Sequence, residues 1–113
     1  MHLRDIQHDA YNTARMKGLH DNLNPLPMRE QTLIRLALIH TEVSEATQIV
    51  KRHGITPQVH GLIAEEFADT IIRLAELAHH LHIDLDAAVA MKLDFNKTRP
   101  MHFGTPEEQR HDS

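Results

Sequence analysis

The sequence predicts an all-α fold, and three observations carry that prediction. Apolar residues recur three or four positions apart over four long segments, which is the spacing of one helix face. Most of the 5 prolines and 4 glycines fall outside those segments, where such residues end helices and form turns. No segment shows the strict apolar–polar alternation of a strand, and no internal repeat or low-complexity run is present.

The four predicted helices follow one another along nearly the whole chain. The first covers residues 3–19 and is followed by a proline-containing loop, and the second covers residues 29–53, with a linker over residues 54–57. The third covers residues 61–82, and its apolar residues occupy well over half of the helix circumference, so we expect it to be central. Asp84 is the expected N-cap of the fourth helix, over residues 85–98.

The chain is expected to form one domain over residues 1–104, with a polar C-terminal tail over residues 105–113. Its 113 residues are fewer than the roughly 150 of an average domain. Three neighbouring helices of so short a chain cannot cover all the apolar surface of the third helix, because small domains bury proportionally little surface. We therefore expect a four-helix bundle completed by oligomerisation, as a homodimer or homotetramer.

Composition excludes several classes of protein. With 12 Lys and Arg residues against 16 Asp and Glu residues, the formal net charge is −4, which gives no support to a nucleic-acid-binding surface. The chain has no cysteine, so disulfide scaffolds, cysteine-ligated zinc and thiol nucleophiles are excluded. No run of about 18 apolar residues and no signal-peptide pattern occurs, so we expect no membrane partner and a cytoplasmic location.

Glu42 is the first candidate functional residue, because it lies on the apolar side of the second predicted helix. On a helical wheel it falls between Ala46 and Ile49. Burying an ionised carboxylate without compensation is costly, so Glu42 needs a cation, a partner or a proton. The simplest alternative is an ion pair with Arg73 or with another helix.

Carboxylates occur in two pairs of the same spacing, Glu42-x-x-Glu45 and Glu66-x-x-Asp69, and three-residue spacing places each pair on one helix face. Two antiparallel helices can then bring four oxygen ligands around divalent cations. Such sites suit Mg²⁺, with Mn²⁺ as a substitute, and Mg²⁺ is commonly bound together with substrate phosphates. The alternative for the second pair is a polar stripe that faces water.

The fourth predicted helix carries the complementary groups for phosphate on one face. At spacings of four and three, these are Lys92, Asn96 and Arg99. Taken alone, they are equally typical of a solvated basic stripe.

Four motifs occur in a specific order along the chain. They are Ala14-Arg15-Met16-Lys17-Gly18, then Glu42-x-x-Glu45, then Glu66-x-x-Asp69 followed by Ile71-Ile72-Arg73, and last Lys92-x-x-x-Asn96-Lys97-Thr98-Arg99-Pro100. This order resembles the MazG-like branch of the all-α nucleoside triphosphate pyrophosphohydrolases, over about residues 11–104. His20 departs from the resemblance, since an aromatic residue is expected there.

The resemblance implies hydrolysis of a (deoxy)nucleoside triphosphate between the α and β phosphates, giving nucleoside monophosphate and pyrophosphate, with Mg²⁺ required. It also implies a role for each matching residue. The catalytic metal ligands would be Glu42, Glu45, Glu66 and Asp69, and the substrate contacts would be Lys17, Lys92, Asn96 and Arg99.

Three other functions compete with this hypothesis. A ferritin-like di-metal bundle is suggested by Glu76-x-x-His79, but that template needs the motif on two helices, and no other predicted helix carries it. A non-catalytic helical interaction module requires only that the carboxylates form surface ion pairs. An HD-type phosphohydrolase is suggested by the adjacent His-Asp pairs at residues 8–9 and 20–21. Most of the 11 histidines are expected to be solvated or partly packed.

Overall fold

A computed structural model describes residues 2–99 as four α-helices, α1 Leu3–Met16, α2 Met28–His53, α3 Pro57–His80 and α4 Leu85–Thr98. These residues contain no β-strand, which confirms the all-α prediction. Within the same residues, no helix combines the length and the apolar character needed to cross a membrane. The predicted tail over residues 105–113, and Pro100 as the end of the fourth helix, lie outside the described residues.

Two helix ends differ from the prediction by more than two residues. The first helix ends at Met16 rather than at residue 19, because Gly18 adopts a left-handed conformation with a φ of 75°. The third begins at Pro57, four residues earlier than predicted. Thr56 caps it by accepting a hydrogen bond from the Val59 N–H at 3.3 Å, and proline is favoured in the first turn of a helix.

Helix α3 lies at the centre of the fold, as predicted, since it packs against both α1 and α2. The turn between α2 and α3 is closed by Gly54, whose left-handed φ of 69° ends α2. Helix α4 packs chiefly against α1, and it has no buried residue.

Polar side chains hold α1 and α4 together at their N-terminal ends. Asp84 caps α4, as predicted, by accepting a hydrogen bond from the Ala87 N–H at 3.3 Å. The Asp86 carboxylate accepts hydrogen bonds from the N–H groups of Leu3 and Arg4, at 3.1 and 3.0 Å. It therefore satisfies two N–H groups at the start of α1 that have no partner within their own helix.

The buried core of one chain is small. Its apolar members are mostly alanines, namely Ala14, Ala46, Val59, Ala75, Leu77 and Ala78. On α2 the buried residues include Gln31, Arg35 and Glu42, whereas Leu33, Leu36 and Val43 are exposed. The apolar face predicted for this helix is thus largely uncovered within the described chain.

Candidate metal centre

Three carboxylates from two helices meet between α2 and α3. Glu42 and Glu45 lie one helical turn apart on α2, and Glu66 faces them from α3. Each offers one oxygen, and the three oxygens lie within 4.8 Å of one another. Only 8% of Glu42 is exposed, which confirms that it lies on the buried side of α2.

A guanidinium group already neutralises one of the three carboxylates. The Nε of Arg73 donates a hydrogen bond to Oε1 of Glu42 at 2.7 Å. This bond is the main reason why the pKa of Glu42 is lowered, against the opposing effect of burial. The ion pair that the sequence offered as an alternative is therefore present, beside the carboxylate cluster rather than in place of it.

Glu66 carries the unbalanced part of the cluster. Its Oε2 is buried and receives no hydrogen bond from any donor in residues 2–99. Desolvation, followed by the proximity of Glu45 and Glu42, raises the pKa of Glu66 to about 7. Three ionised carboxylates beside one guanidinium leave two negative charges, which a divalent cation would balance and a single proton would only halve.

The cluster lies beside two cavities, and the predicted site residues divide between them. A cavity of about 670 Å³ between α1 and α3 is lined by Glu42, Asp69, Arg73 and Lys17. Asp69 is exposed and stays outside the group of three oxygens. Lys17, from the segment after α1, thus shares one cavity with two of the four predicted carboxylates.

The second cavity, of about 470 Å³, is lined by Glu45 and Glu66 together with Gln48, Arg52 and His53 from the end of α2. Sequence reasoning did not select Arg52. The sequence spacing could have indicated this residue, because Arg52 lies seven residues after Glu45 and therefore on nearly the same face of the helix.

The predicted substrate-binding residues of α4 are not brought to the cluster within one chain. Lys92, Asn96 and Arg99 line neither cavity. The Lys92 Nζ lies 5.1 Å from the centre of the Phe95 ring, and the Arg99 Cζ lies 5.7 Å from it. The two cations thus share a face with this ring, at the C-terminal end of α4.

A buried polar network escaped the sequence analysis. His20 is only 3% exposed. Its ring forms a hydrogen bond with the Glu76 carboxylate, which also accepts a hydrogen bond from Arg35. His20 is thus an exception among the histidines, most of which were expected to be solvated or partly packed. The Glu76 side chain is only 16% exposed. Arg35 was detectable in principle, since it lies two helical turns before Glu42 on α2.

The ferritin-like hypothesis gains no support from this arrangement, because Glu76 is held by His20 and Arg35. Among residues 2–99, the one group of three ligand side chains close enough for a metal ion consists of Glu42, Glu45 and Glu66. Comparison with protein families, curated proteins and solved structures finds no match to this chain.

Proposed function

We propose that this chain is a MazG-like nucleotide pyrophosphohydrolase that depends on Mg²⁺, with Mn²⁺ as a substitute. Its substrate is a (deoxy)nucleoside triphosphate, cleaved between the α and β phosphates to give nucleoside monophosphate and pyrophosphate. The observation that supports the proposal most is the convergence of Glu42, Glu45 and Glu66 within 4.8 Å. Two motifs distant in the sequence meet there and contribute three of the four ligands that the resemblance implies, while Asp69 lies outside the group.

The donor set fits a hard divalent cation. All three groups are carboxylates, the ligand type that Mg²⁺ and Mn²⁺ favour, and one buried oxygen of Glu66 receives no hydrogen bond from the residues that the structure describes. Glu42, Glu45 and Glu66 would hold the ion, with Asp69 entering from the adjoining cavity. When bound, Mg²⁺ polarises phosphoryl oxygens and offsets the charge that develops on them.

The protein's own side chains supply the remaining chemistry. Lys17 lines the cavity beside Glu42 and Asp69, where an ammonium group stabilises negative charge on phosphate oxygens. One of the four carboxylates would accept a proton from the attacking water instead of binding the ion strongly, since a general base must lie within reach of the nucleophile. Arg73 keeps Glu42 ionised through its hydrogen bond.

The proposal includes assembly of the chain with at least one further copy of itself. The large exposed apolar side chains of α2 and α3, among them Val43, Phe67 and Ile71, support a homodimer or homotetramer. Neither cavity of the same chain is lined by Lys92, Asn96 or Arg99. We therefore assign these residues to the binding of substrate phosphates in the assembled oligomer.

The direct test is product analysis over all common nucleoside and deoxynucleoside triphosphates with Mg²⁺. We expect pyrophosphate and monophosphate from at least one of them. Glu42→Gln should lower turnover by about 100-fold or more, the usual size of the loss when one electrostatic group is removed from a site. Glu65→Gln is the matched control, because Glu65 is the exposed neighbour of Glu66 and should keep wild-type turnover.

Two results would contradict the proposal. One is orthophosphate as the sole phosphate product, or no turnover of any nucleotide. The other is full activity of the Glu42→Gln variant, which would exclude the metal assignment.

A non-catalytic helical interaction module is the second candidate, and the Arg73–Glu42 ion pair favours it. That module needs no divalent ion. Titration calorimetry with Mg²⁺ separates the two, since the hydrolase should bind Mg²⁺ in a manner lost in Glu45→Gln and retained in Glu65→Gln. Absence of Mg²⁺ binding in the wild type would leave the module as the better hypothesis.

A further inference from the structure

A buried polar cluster joins the segment after α1 to both α2 and α3. Its members, here called the histidine cluster, are His20, Arg35, Glu76 and His80. Oε1 of Glu76 lies 2.7 Å from the His20 Nε2 and accepts a hydrogen bond from the Arg35 Nη1 at 2.8 Å. One carboxylate oxygen therefore ties together three parts of the chain.

His20 anchors the whole connection between α1 and α2. Its backbone carbonyl accepts hydrogen bonds from the N–H groups of Leu23 and Asn24, at 3.0 and 2.9 Å. The far end of the segment is held by Gln31, whose Nε2 donates to the Leu26 carbonyl at 2.7 Å. Near its start, residues 17 and 19 line the cavity between α1 and α3, as does Glu76.

Aromatic rings close the cluster from the side of α1. The Tyr11 ring lies 4.9 Å from the His20 ring, 4.5 Å from that of His79 and 6.2 Å from that of His80, between centroids. The rings of His20 and His80 are 6.4 Å apart. The Tyr11 ring therefore packs against one side of the cluster.

The charges balance only while the histidines are neutral. Arg35 and Glu76 form a buried pair of opposite sign, and the Nε2 of His80 is buried without a partner in residues 2–99. A proton on His80 would add a second cation beside Arg35, while Glu76 is already engaged by two donors. His20 and His82 would add further positive charge if they were protonated.

We propose that the histidine cluster is an acid-sensitive latch. At neutral pH the cluster holds residues 17–27 against α3. When the cluster takes up a proton, it releases these residues, and with them one wall of the cavity between α1 and α3. The latch stands on the contacts of this cluster alone and does not depend on the reaction proposed above.

The direction of the pH dependence follows from His80. Burial, followed by the charges of Arg35 and His20, holds the pKa of His80 below its ordinary value of 6.5. The released state therefore binds more protons than the latched state as the pH falls through 6.5, so acid favours release. The latched state is fully favoured above that pH.

Hydrogen exchange of the full chain tests the latch. For one proton, protection of the amides of residues 19–24 should fall by up to about tenfold per pH unit below 6.5, after correction for intrinsic exchange. Tyr11 is the sole tyrosine and there is no tryptophan, so the near-ultraviolet tyrosine band should weaken in parallel. The far-ultraviolet helical signal should stay constant.

The variant His80→Gln should flatten this pH dependence, and the control His60→Gln, at an exposed position of α3, should keep it. An equal slope in His80→Gln and wild type, or no slope in the wild type, overturns the latch. If His80→Gln does not fold, an NMR titration of the wild-type His80 ring decides. A midpoint below 6.5 supports the latch, and one at or above 6.5 overturns it.

Discussion

Glu66 is the residue at which burial and charge conflict most directly. Its raised pKa makes the folded protein bind a proton that the unfolded chain releases between pH 4.5 and about 7. The free energy of unfolding therefore falls as the pH rises through this interval, because ionised Glu66 faces Glu45 and Glu42. A bound divalent cation would remove the conflict by neutralising the same oxygens.

Glu66→Gln should therefore stabilise the metal-free protein at alkaline pH. We expect a higher urea midpoint than in the wild type at about pH 8, with the difference shrinking towards about pH 5, where the wild-type carboxyl is protonated in the fold. Added Mg²⁺ should shrink the difference at pH 8 as well. Glu65→Gln serves as the control, and a lower midpoint for Glu66→Gln than for the wild type at alkaline pH would contradict this account.

The sequence predicted part of the candidate site at residue level. The position of Glu42 on the helical wheel indicated its burial, and the shared three-residue spacing pointed to Glu45 and Glu66. The separation of Asp69 from the group depends on the rotation of α3 about its axis, which spacing within one helix does not determine. The contact between His20 and Glu76 depends on the path of the segment that connects α1 and α2. That segment has no apolar periodicity from which its path could be predicted.

At the scale of the elements, the start of α1 depends on a side chain from another helix. The Asp86 carboxylate accepts hydrogen bonds from two N–H groups of α1, while α4 itself is capped by Asp84. The first turn of α4 thus serves two helix ends at once. Among residues 2–99, α4 packs chiefly against α1, and it has no buried residue.

Asp86→Ala should loosen both α1 and α4. Loss of a capping carboxylate costs about 1 kcal/mol, so the free energy of unfolding measured by urea titration should fall by about that amount. Asp94→Ala, at an exposed position of the same helix, should change the free energy by less than about 0.5 kcal/mol. Equal losses in the two variants would show that the contact with α1 contributes nothing.

The helix boundaries show which ends of helices can be predicted from residues that are close together in the sequence. The bounds of α4 were predicted from Asp84 as the N-cap and from Pro100 as the residue that ends the helix. The start of α3 was placed too late because Gly54 and Pro57 were both assigned to the linker, whereas Thr56 and Pro57 form the N-terminus of the helix.

At the scale of the whole molecule, one chain leaves much of its apolar surface uncovered. Val43 on α2 is 52% exposed and Phe67 on α3 is 59% exposed, while the buried apolar residues are mostly alanines. Such a surface exceeds what scattered exposed residues produce and is typical of an interface. The chain length predicted a surplus of uncovered apolar surface. The sequence did not identify which face of α2 carries this surface, because the buried side of α2 is polar.

Analytical ultracentrifugation at micromolar concentration should show a dimer or tetramer. Val43→Glu and Phe67→Glu should each shift the protein towards monomer, because a buried, unpaired carboxylate costs several kcal/mol. Ile55→Glu, in the exposed turn between α2 and α3, should leave the assembly intact. A monomeric wild type would contradict the proposed assembly.

The two ion pairs between α2 and α3 also fix how these helices align along their length. Arg35 of α2 pairs with Glu76 of α3, and Glu42 of α2 pairs with Arg73 of α3, so the pairs point in opposite directions across the interface. Alanines alone would let one helix slip past the other by a turn at little cost. Such a slip would break both pairs, at about 3–5 kcal/mol for the buried Arg35–Glu76 pair and at less for Arg73–Glu42, because the Arg73 side chain is 41% exposed. The hairpin therefore has a single register, and the distance of Glu66 from Glu42 and Glu45 depends in part on Arg35, Arg73 and Glu76, which lie outside the group of three.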